Sequence, residues 1–209
     1  MNSFTVKQLA VGGFDDNFSY LIYAPANGDT AIVDPCGDVN VILNALHALP
    51  APGDPIAILL THGHHDHTSG ITELKKHFSA PVIAHPECQC KPDHALADHQ
   101  KLPFGDGFIE ALYAPGHSRD GMIYRLSDDS AIFTGDTLFI DCCGYCVAEV
   151  MYQTMRNVIW PLVDSNIVFS GHDYGQEPFA PLGVEKHRNP FLAAAQLPLP
   201  KFKTQLKKL

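Results

Sequence analysis

Short blocks of apolar residues, each closed by turn-forming residues, dominate the chain. Residues 4–11 and 17–23 are rich in β-branched and aromatic side chains and flank the turn Gly12-Gly13-Phe14-Asp15-Asp16, which predicts two strands. Asn27-Gly28-Asp29 is a hairpin turn leading into a third strand at 30–34. The period then changes. Val39, Ile42, Leu43 and Leu46 share one face of a helix that Asp38 caps and Pro50-Ala51-Pro52-Gly53 stops. A buried strand is predicted at 56–60, a helix over 69–78 with Ile71, Leu74 and Phe78 as its stripe, and a short strand at 81–84. From 86 to 106 the pattern weakens and reads as a short helix and loops. Strands follow at 107–113, 121–126 and 131–134, then a helix over 149–163, a turn at Asp164-Ser165-Asn166 and a strand at 167–169. Residues 197–209 are basic and broken by Pro198 and Pro200, and read as an extended tail with one helical turn.

Strands and helices thus alternate in two similar halves, without a sequence repeat of fixed period. That order predicts an α+β fold of four layers, helix–sheet–sheet–helix, over residues 1–196, with 197–209 as a tail. A length of 209 residues fits one such domain.

Composition narrows the partners. The net charge of −9 argues against nucleic acid and anionic membrane. The N-terminus shows no signal-peptide pattern and no run could span a bilayer, so a cytoplasmic protein, monomer or homodimer, is expected. In that compartment the six cysteines should be mostly reduced. Cys143-Gly144-Tyr145-Cys146 has the spacing of a redox pair or a metal clip, and Cys88 and Cys90 could in principle complete a four-thiolate site with it.

The chemistry concentrates in Thr61-His62-Gly63-His64-His65-Asp66-His67-Thr68, directly after the predicted strand at 56–60. Residues two apart in an extended segment point the same way, so His62 and His64 can grip one ion. Asp66 and His67 are adjacent and better placed for a second. Three later loops follow strands in the same manner, with glycine before the polar residue: Gly116-His117, Gly135-Asp136 and Gly171-His172. Imidazoles and carboxylates crowded in this way usually follow metal chemistry.

With these motifs in this order the chain resembles the metallo-β-lactamase-fold superfamily, and most of all its glyoxalase II branch, over about residues 15–192. The resemblance implies an αββα sandwich. It implies that His62, His64 and His117 hold a first metal, that Asp66, His67 and His172 hold a second, and that Asp136 bridges them. It further implies two divalent ions, zinc expected and iron or manganese as alternatives, activating a metal-bridging hydroxide against a small acyl-thioester. Asp66 is a candidate proton acceptor as well as a ligand. The alternative is a persulfide dioxygenase-like oxygenase with one Fe(II).

Three departures bear on the substrate. Ser118-Arg119-Asp120 stands where that branch has Thr-x-Gly, and Cys142-Cys143-Gly144-Tyr145 where it has Gly-Cys-Gly-Arg. Little sequence follows Asn189-Pro190-Phe191-Leu192, so the helical domain that holds glutathione in the full-length enzymes is expected to be largely absent. Arg119, Tyr145 and Tyr174 are the candidate substrate contacts. Asp34, after a strand and before Pro35, either bonds a ligand histidine or caps a turn. For His65 no ligand role is expected.

Overall fold

The computed structural model describes residues 4–209. Met1–Ser3, part of the N-terminal segment read above, lie outside the described residues. Two six-stranded sheets face each other. The first runs β1(Thr5–Gly12), β2(Asn17–Tyr23), β3(Thr30–Val33), β4(Ala57–Leu59), β5(Val82–Ala84) and β6(His94–Ala95) in that order. The second runs β12(Ala180–Pro181), β11(Ile167–Ser170), β10(Ala131–Gly135), β9(Met122–Leu126), β8(Gly107–Tyr113) and β7(Lys101–Phe104). Both are mixed, because α1(Val39–His47) lies between the parallel pair β3–β4 and α4(Ala148–Thr154) between the parallel pair β10–β11.

Side-chain alternation makes the layers. Along β2, Phe18, Tyr20 and Ile22 enter the core between the sheets, while Leu21 and Tyr23 turn to the outer face. On β9, Met122, Tyr124 and Leu126 likewise face inward and Ile123 outward. The outer face of the first sheet packs on Val39, Ile42 and Leu46 of α1 and on Leu74 of α3(Ile71–Leu74). That of the second packs on Met151 of α4, and on Met155 and Ile159 of the π-helical turn that continues it. It also packs on Leu182 of α5(Leu182–Arg188) and on Phe191 and Leu192 of α6(Pro190–Ala194). The four-layer α+β sandwich is therefore as expected. Among the described residues no helix is long and apolar enough to cross a membrane.

Some local expectations fail. The helix expected over 69–78 is reduced to the single turn α3, and another single turn, α2(His65–Thr68), lies just before it. The amide of Gly70 between them donates to the Pro35 carbonyl at 2.9 Å. Residues 86–106 contain β6 and β7 rather than a helix; β7 pairs antiparallel with β8 as an edge strand, where Pro103 is tolerated. The C-terminal segment is not extended. It forms α7(Leu199–Leu206), with Pro200 in its first turn, where a missing N–H costs nothing. Phe202 of α7 is fully buried, with its ring 5.6 Å from that of Tyr152 on α4. Burying a side chain of that size contributes about 1.5–3 kcal/mol.

Candidate metal centre

The seven expected ligands come from four loops at one edge of the sandwich, two of them entered through glycine for steric reasons. Gly135 has φ +48, and a Cβ there would stand 2.3 Å from Thr61 Oγ1. Gly171 has no such φ; what it needs is space. Its Cβ would stand 2.3 Å from Asp136 Oδ1 and 2.7 Å from His67 Cε1. The glycine lets the Asp136 carboxylate and the His67 ring meet against the β11 loop.

Two trios result. His62, His64 and His117 form one: His64 Nδ1 lies 3.0 Å from His62 Nε2 and 3.0 Å from His117 Nε2. Asp66, His67 and His172 form the other, with Asp66 Oδ2 3.5 Å from His67 Nε2 and 3.4 Å from His172 Nε2. Asp136 reaches into both. Its Oδ2 is 3.5 Å from His117 Nε2 and 3.4 Å from His172 Nε2, and its Oδ1 is 3.2 Å from His67 Nε2.

A cation suits these atoms. His67 Nε2 and Asp136 Oδ1 are buried and make no hydrogen bond. Leaving such groups unpaired is costly, and a divalent ion between them satisfies both. Mixed imidazole and carboxylate donors fit zinc, iron or manganese.

Four of the five rings are aimed by their other nitrogen. His67 Nδ1 lies 3.1 Å from Asp34 Oδ2. Asp34, buried at φ +48, also accepts from the Thr61 amide at 2.7 Å and the Thr61 hydroxyl at 2.5 Å. His62 Nδ1 is 3.2 Å from that hydroxyl oxygen. Thr61 donates its only O–H to Asp34, so it accepts from His62, whose Nε2 is left facing inward. One carboxylate thus orients two histidines of the expected ligand set, so Asp34 bonds a histidine rather than merely capping a turn. His117 Nδ1 meets the Tyr145 carbonyl at 3.0 Å, and His172 Nδ1 the Asp15 carbonyl at 2.6 Å. Asn17 Nδ2 donates to Asp66 Oδ2 at 3.2 Å.

The two trios differ electrostatically. Burial, reinforced by its histidine neighbours, holds His62 well below the usual imidazole range, and burial lowers His117 too. Burial also opposes charge on His67 and His172, but the surrounding carboxylates outweigh it. Contact with Asp136 and Asp34 holds His67 well up, and contact with Asp136 and Asp66 raises His172 to about 10. Contact with His172 pulls Asp66 down; Asp136 falls despite its burial because His172 and His67 face it.

The remaining candidates divide between two sides of the centre. Tyr145 and Tyr174 line a cavity of about 350 Å³ with Asp136, Phe139 and Cys142. Tyr174 does not present a free hydroxyl to it. That group bonds the Asp15 carboxylate, and the ring stacks on His172 at 4.8 Å. Exposed Arg119 borders a separate cleft of about 360 Å³ with Gly63, His64, Glu87 and Asp120. His65 is in neither trio and packs against Phe14. The cysteine segments do not meet in one four-thiolate site. Cys88 and Cys90 pack with the first sheet's outer face, and Cys142, Cys143 and Cys146 with the second's. All six cysteines are free thiols.

Sequence reading passed over Asp15, Asn17, Thr61 and Asn189. Asn189 Nδ2 donates to the carbonyls of Phe139 at 3.1 Å and Cys142 at 2.9 Å, pinning the cavity wall, while its Oδ1 caps α6. The Asn-Pro pair at a helix start was the one visible signal.

The family model for the metallo-β-lactamase superfamily matches residues 12–198. The chain belongs to the metallo-β-lactamase superfamily. Among its curated relatives in that superfamily, a hydroxyacylglutathione hydrolase of Rhodopseudomonas palustris is 38% identical over 86% of this chain and 71% of its own length. A probable hydroxyacylglutathione hydrolase of Schizosaccharomyces pombe is 36% identical over 78% of this chain and 66% of its own. A probable polyketide biosynthesis zinc-dependent hydrolase of Bacillus subtilis is 32% identical over 78% and 75%. The chain thus spans about two thirds to three quarters of the length of these relatives. Among solved superfamily structures, the BLEG-1 B3 metallo-β-lactamase superposes with a TM-score of 0.77 at 28% identity over 90% of this chain and 99% of that one. ETHE1 from Myxococcus xanthus superposes at 0.82 over 97% and 90%, with 24% identity, a likeness of fold.

Proposed function

We propose that this chain is a binuclear metal-dependent hydrolase of small acyl-thioesters. His62, His64 and His117 would hold one ion, Asp66, His67 and His172 the other, and Asp136 both. The observation that carries this reading is the position of Asp136, whose two oxygens lie within 3.5 Å of His67, His117 and His172. The names of the hydrolase relatives support the reaction class. Zinc, the expected metal, is named for one of them.

When bound, two such ions supply Lewis acidity and a water acidic enough to ionise near neutral pH. The chain's own residues provide the rest. Asp34, Thr61 and the carbonyls of Asp15 and Tyr145 fix four of the rings, so little reorganisation is needed as charge develops. Asp66 accepts from Asn17 and is half-buried, so one oxygen can take a proton while the side chain stays in place. A thioester suits such a site because its thiolate leaves without an acid. The cavity beside Tyr145 and Tyr174 would take one end of the substrate, and the cleft beside Arg119 the other.

Elemental analysis of the protein as isolated after expression without added metal, with a panel of glutathione, pantetheine and simple alkyl thioesters, tests the reading. Two ions per chain and hydrolysis of at least one thioester are expected. Iron at one per chain, with oxygen uptake on a persulfide and no thioester cleavage, would replace it with the oxygenase alternative.

A further inference from the structure

Two thiols outside the metal centre approach more closely than ordinary packing brings them. Cys88 Sγ and Cys90 Sγ are 2.9 Å apart, in the loop that follows β5. That loop is held in a tight turn: the Cys88 amide donates to the His85 carbonyl, and Lys91 takes φ +53. Cys88 is buried, whereas Cys90 is partly open to solvent.

The buried thiol touches the metal-binding loop. A Cβ on Gly63, between His62 and His64, would stand 3.0 Å from Cys88 Sγ and 3.0 Å from Asp120 Oδ2. Asp120 is only 8% exposed, and its Oδ2 has no hydrogen-bond partner. A buried carboxylate oxygen and a thiol therefore share one corner behind Gly63. Burial, and then the contact with Cys90, push the Cys88 thiol up, and the Asp120 charge adds to this. Cys88 keeps its proton until something nearby accepts it.

We propose that Cys88 and Cys90 are a reversible dithiol–disulfide site, that Asp120 accepts the Cys88 proton as the bond closes, and that the state of the site is felt by the metal-binding loop through Gly63. The oxidant is a low-molecular-weight disulfide. The more accessible Cys90 loses its proton to water and attacks, breaking the S–S bond and releasing one thiolate, which takes up a proton. A mixed disulfide on Cys90 remains. Cys88 passes its proton to Asp120 and attacks Cys90 Sγ. The mixed disulfide breaks, and the second thiol leaves with that proton. Two protein thiols are oxidised and one small disulfide is reduced to two thiols. Closure shortens the 2.9 Å separation to about 2.05 Å, and whatever share of that movement Cys88 Sγ takes shifts it against Gly63.

Zinc-loaded full chain, equilibrated with glutathione disulfide and glutathione and then alkylated for peptide mapping, tests this. A Cys88–Cys90 disulfide that dithiothreitol reverses is expected. Cys88→Ser should stop at a mixed disulfide on Cys90, and Asp120→Asn should slow closure about tenfold or more. Oxidised protein should release zinc to a chelator several-fold faster than reduced protein, a difference absent from a Cys88→Ser, Cys90→Ser double variant. Full alkylation of Cys88 and Cys90, or a disulfide found only between Cys143 and Cys146, overturns the site. Closure at an unchanged rate in Asp120→Asn overturns the proton role. Closure without a change in zinc release overturns the link to the loop.

Discussion

The two candidate trios share Asp136 and the support of Asp34, and differ in composition and exposure. The first, His62, His64 and His117, is all imidazole, with His64 exposed and His117 half-buried. The second has its own carboxylate and two buried histidines. His62 and His117 are held neutral, ready to donate lone pairs, whereas carboxylates hold His67 and His172 protonated. In the second trio the carboxylates favour positive charge where a cation would sit. The first trio is thus the more accessible and the second the more favourable to positive charge.

Removing what the trios share should have the largest effect. Asp136→Ala is expected to empty both positions in elemental analysis and to lower kcat/KM by about 10³-fold or more. Next comes the contrast between them. His67→Ala removes the one histidine that Asp34 and Asp136 both contact and should destabilise the metal-free chain by about 3 kcal/mol in urea unfolding. His64→Ala, at an exposed position, should cost about 0.5 kcal/mol or less while still losing an ion. Equal losses would erase the distinction.

Asp34→Asn, which keeps the shape but weakens the hold on His67 and Thr61, should lower metal affinity about 10–100-fold in competition with a chelator dye. Binding should also release protons, because ligating imidazoles must be neutral. Contact with Asp136 and Asp66 raises His172 to about 10, so a proton there competes with metal up to that pH. Affinity should therefore rise with pH towards that value and proton release diminish, as calorimetry in buffers of different ionisation enthalpy would read. An affinity independent of pH would mean the second trio is not the protonated one. The smallest effect is Tyr174→Phe, which frees Asp15 but keeps the stack on His172. A few-fold change in KM with kcat nearly intact is expected from steady-state kinetics.

The cluster of candidate ligands was legible in the sequence because the loops that carry it follow strands and most of its residues sit beside glycine, a signal local in the chain. Their supports were not. Asp34 acts on Thr61 and His67, and Asp15 on His172, across sequence separations that no periodicity spans. The four layers were legible through alternation, as on β2 and β9, and local propensity misled at the ends. Lys101–Phe104 contains a proline and reads as loop, yet it pairs as an edge strand. Leu199, Phe202 and Leu206 have helical spacing, but the prolines before and among them argued for an extended tail. Proline in a first turn starts a helix as readily as it stops one. Likewise Gly171, which the sequence marks only as the glycine before His172, is there for the room it leaves Asp136.

The trios also join the two halves of the sandwich. His62 and His64 follow β4 in one sheet, while His117, Asp136 and His172 follow β8, β10 and β11 in the other. In polymer terms, an ion gripped by His62 and His117 is a removable cross-link between distant points of one chain, and a second tie from His67 to His172 closes a loop of roughly a hundred residues. Covalent ties of that length are worth about 4–5 kcal/mol through the unfolded state alone. The same atoms that would run the chemistry would thus act as a clasp on the open edge, so that losing metal loosens the fold as well as stopping turnover.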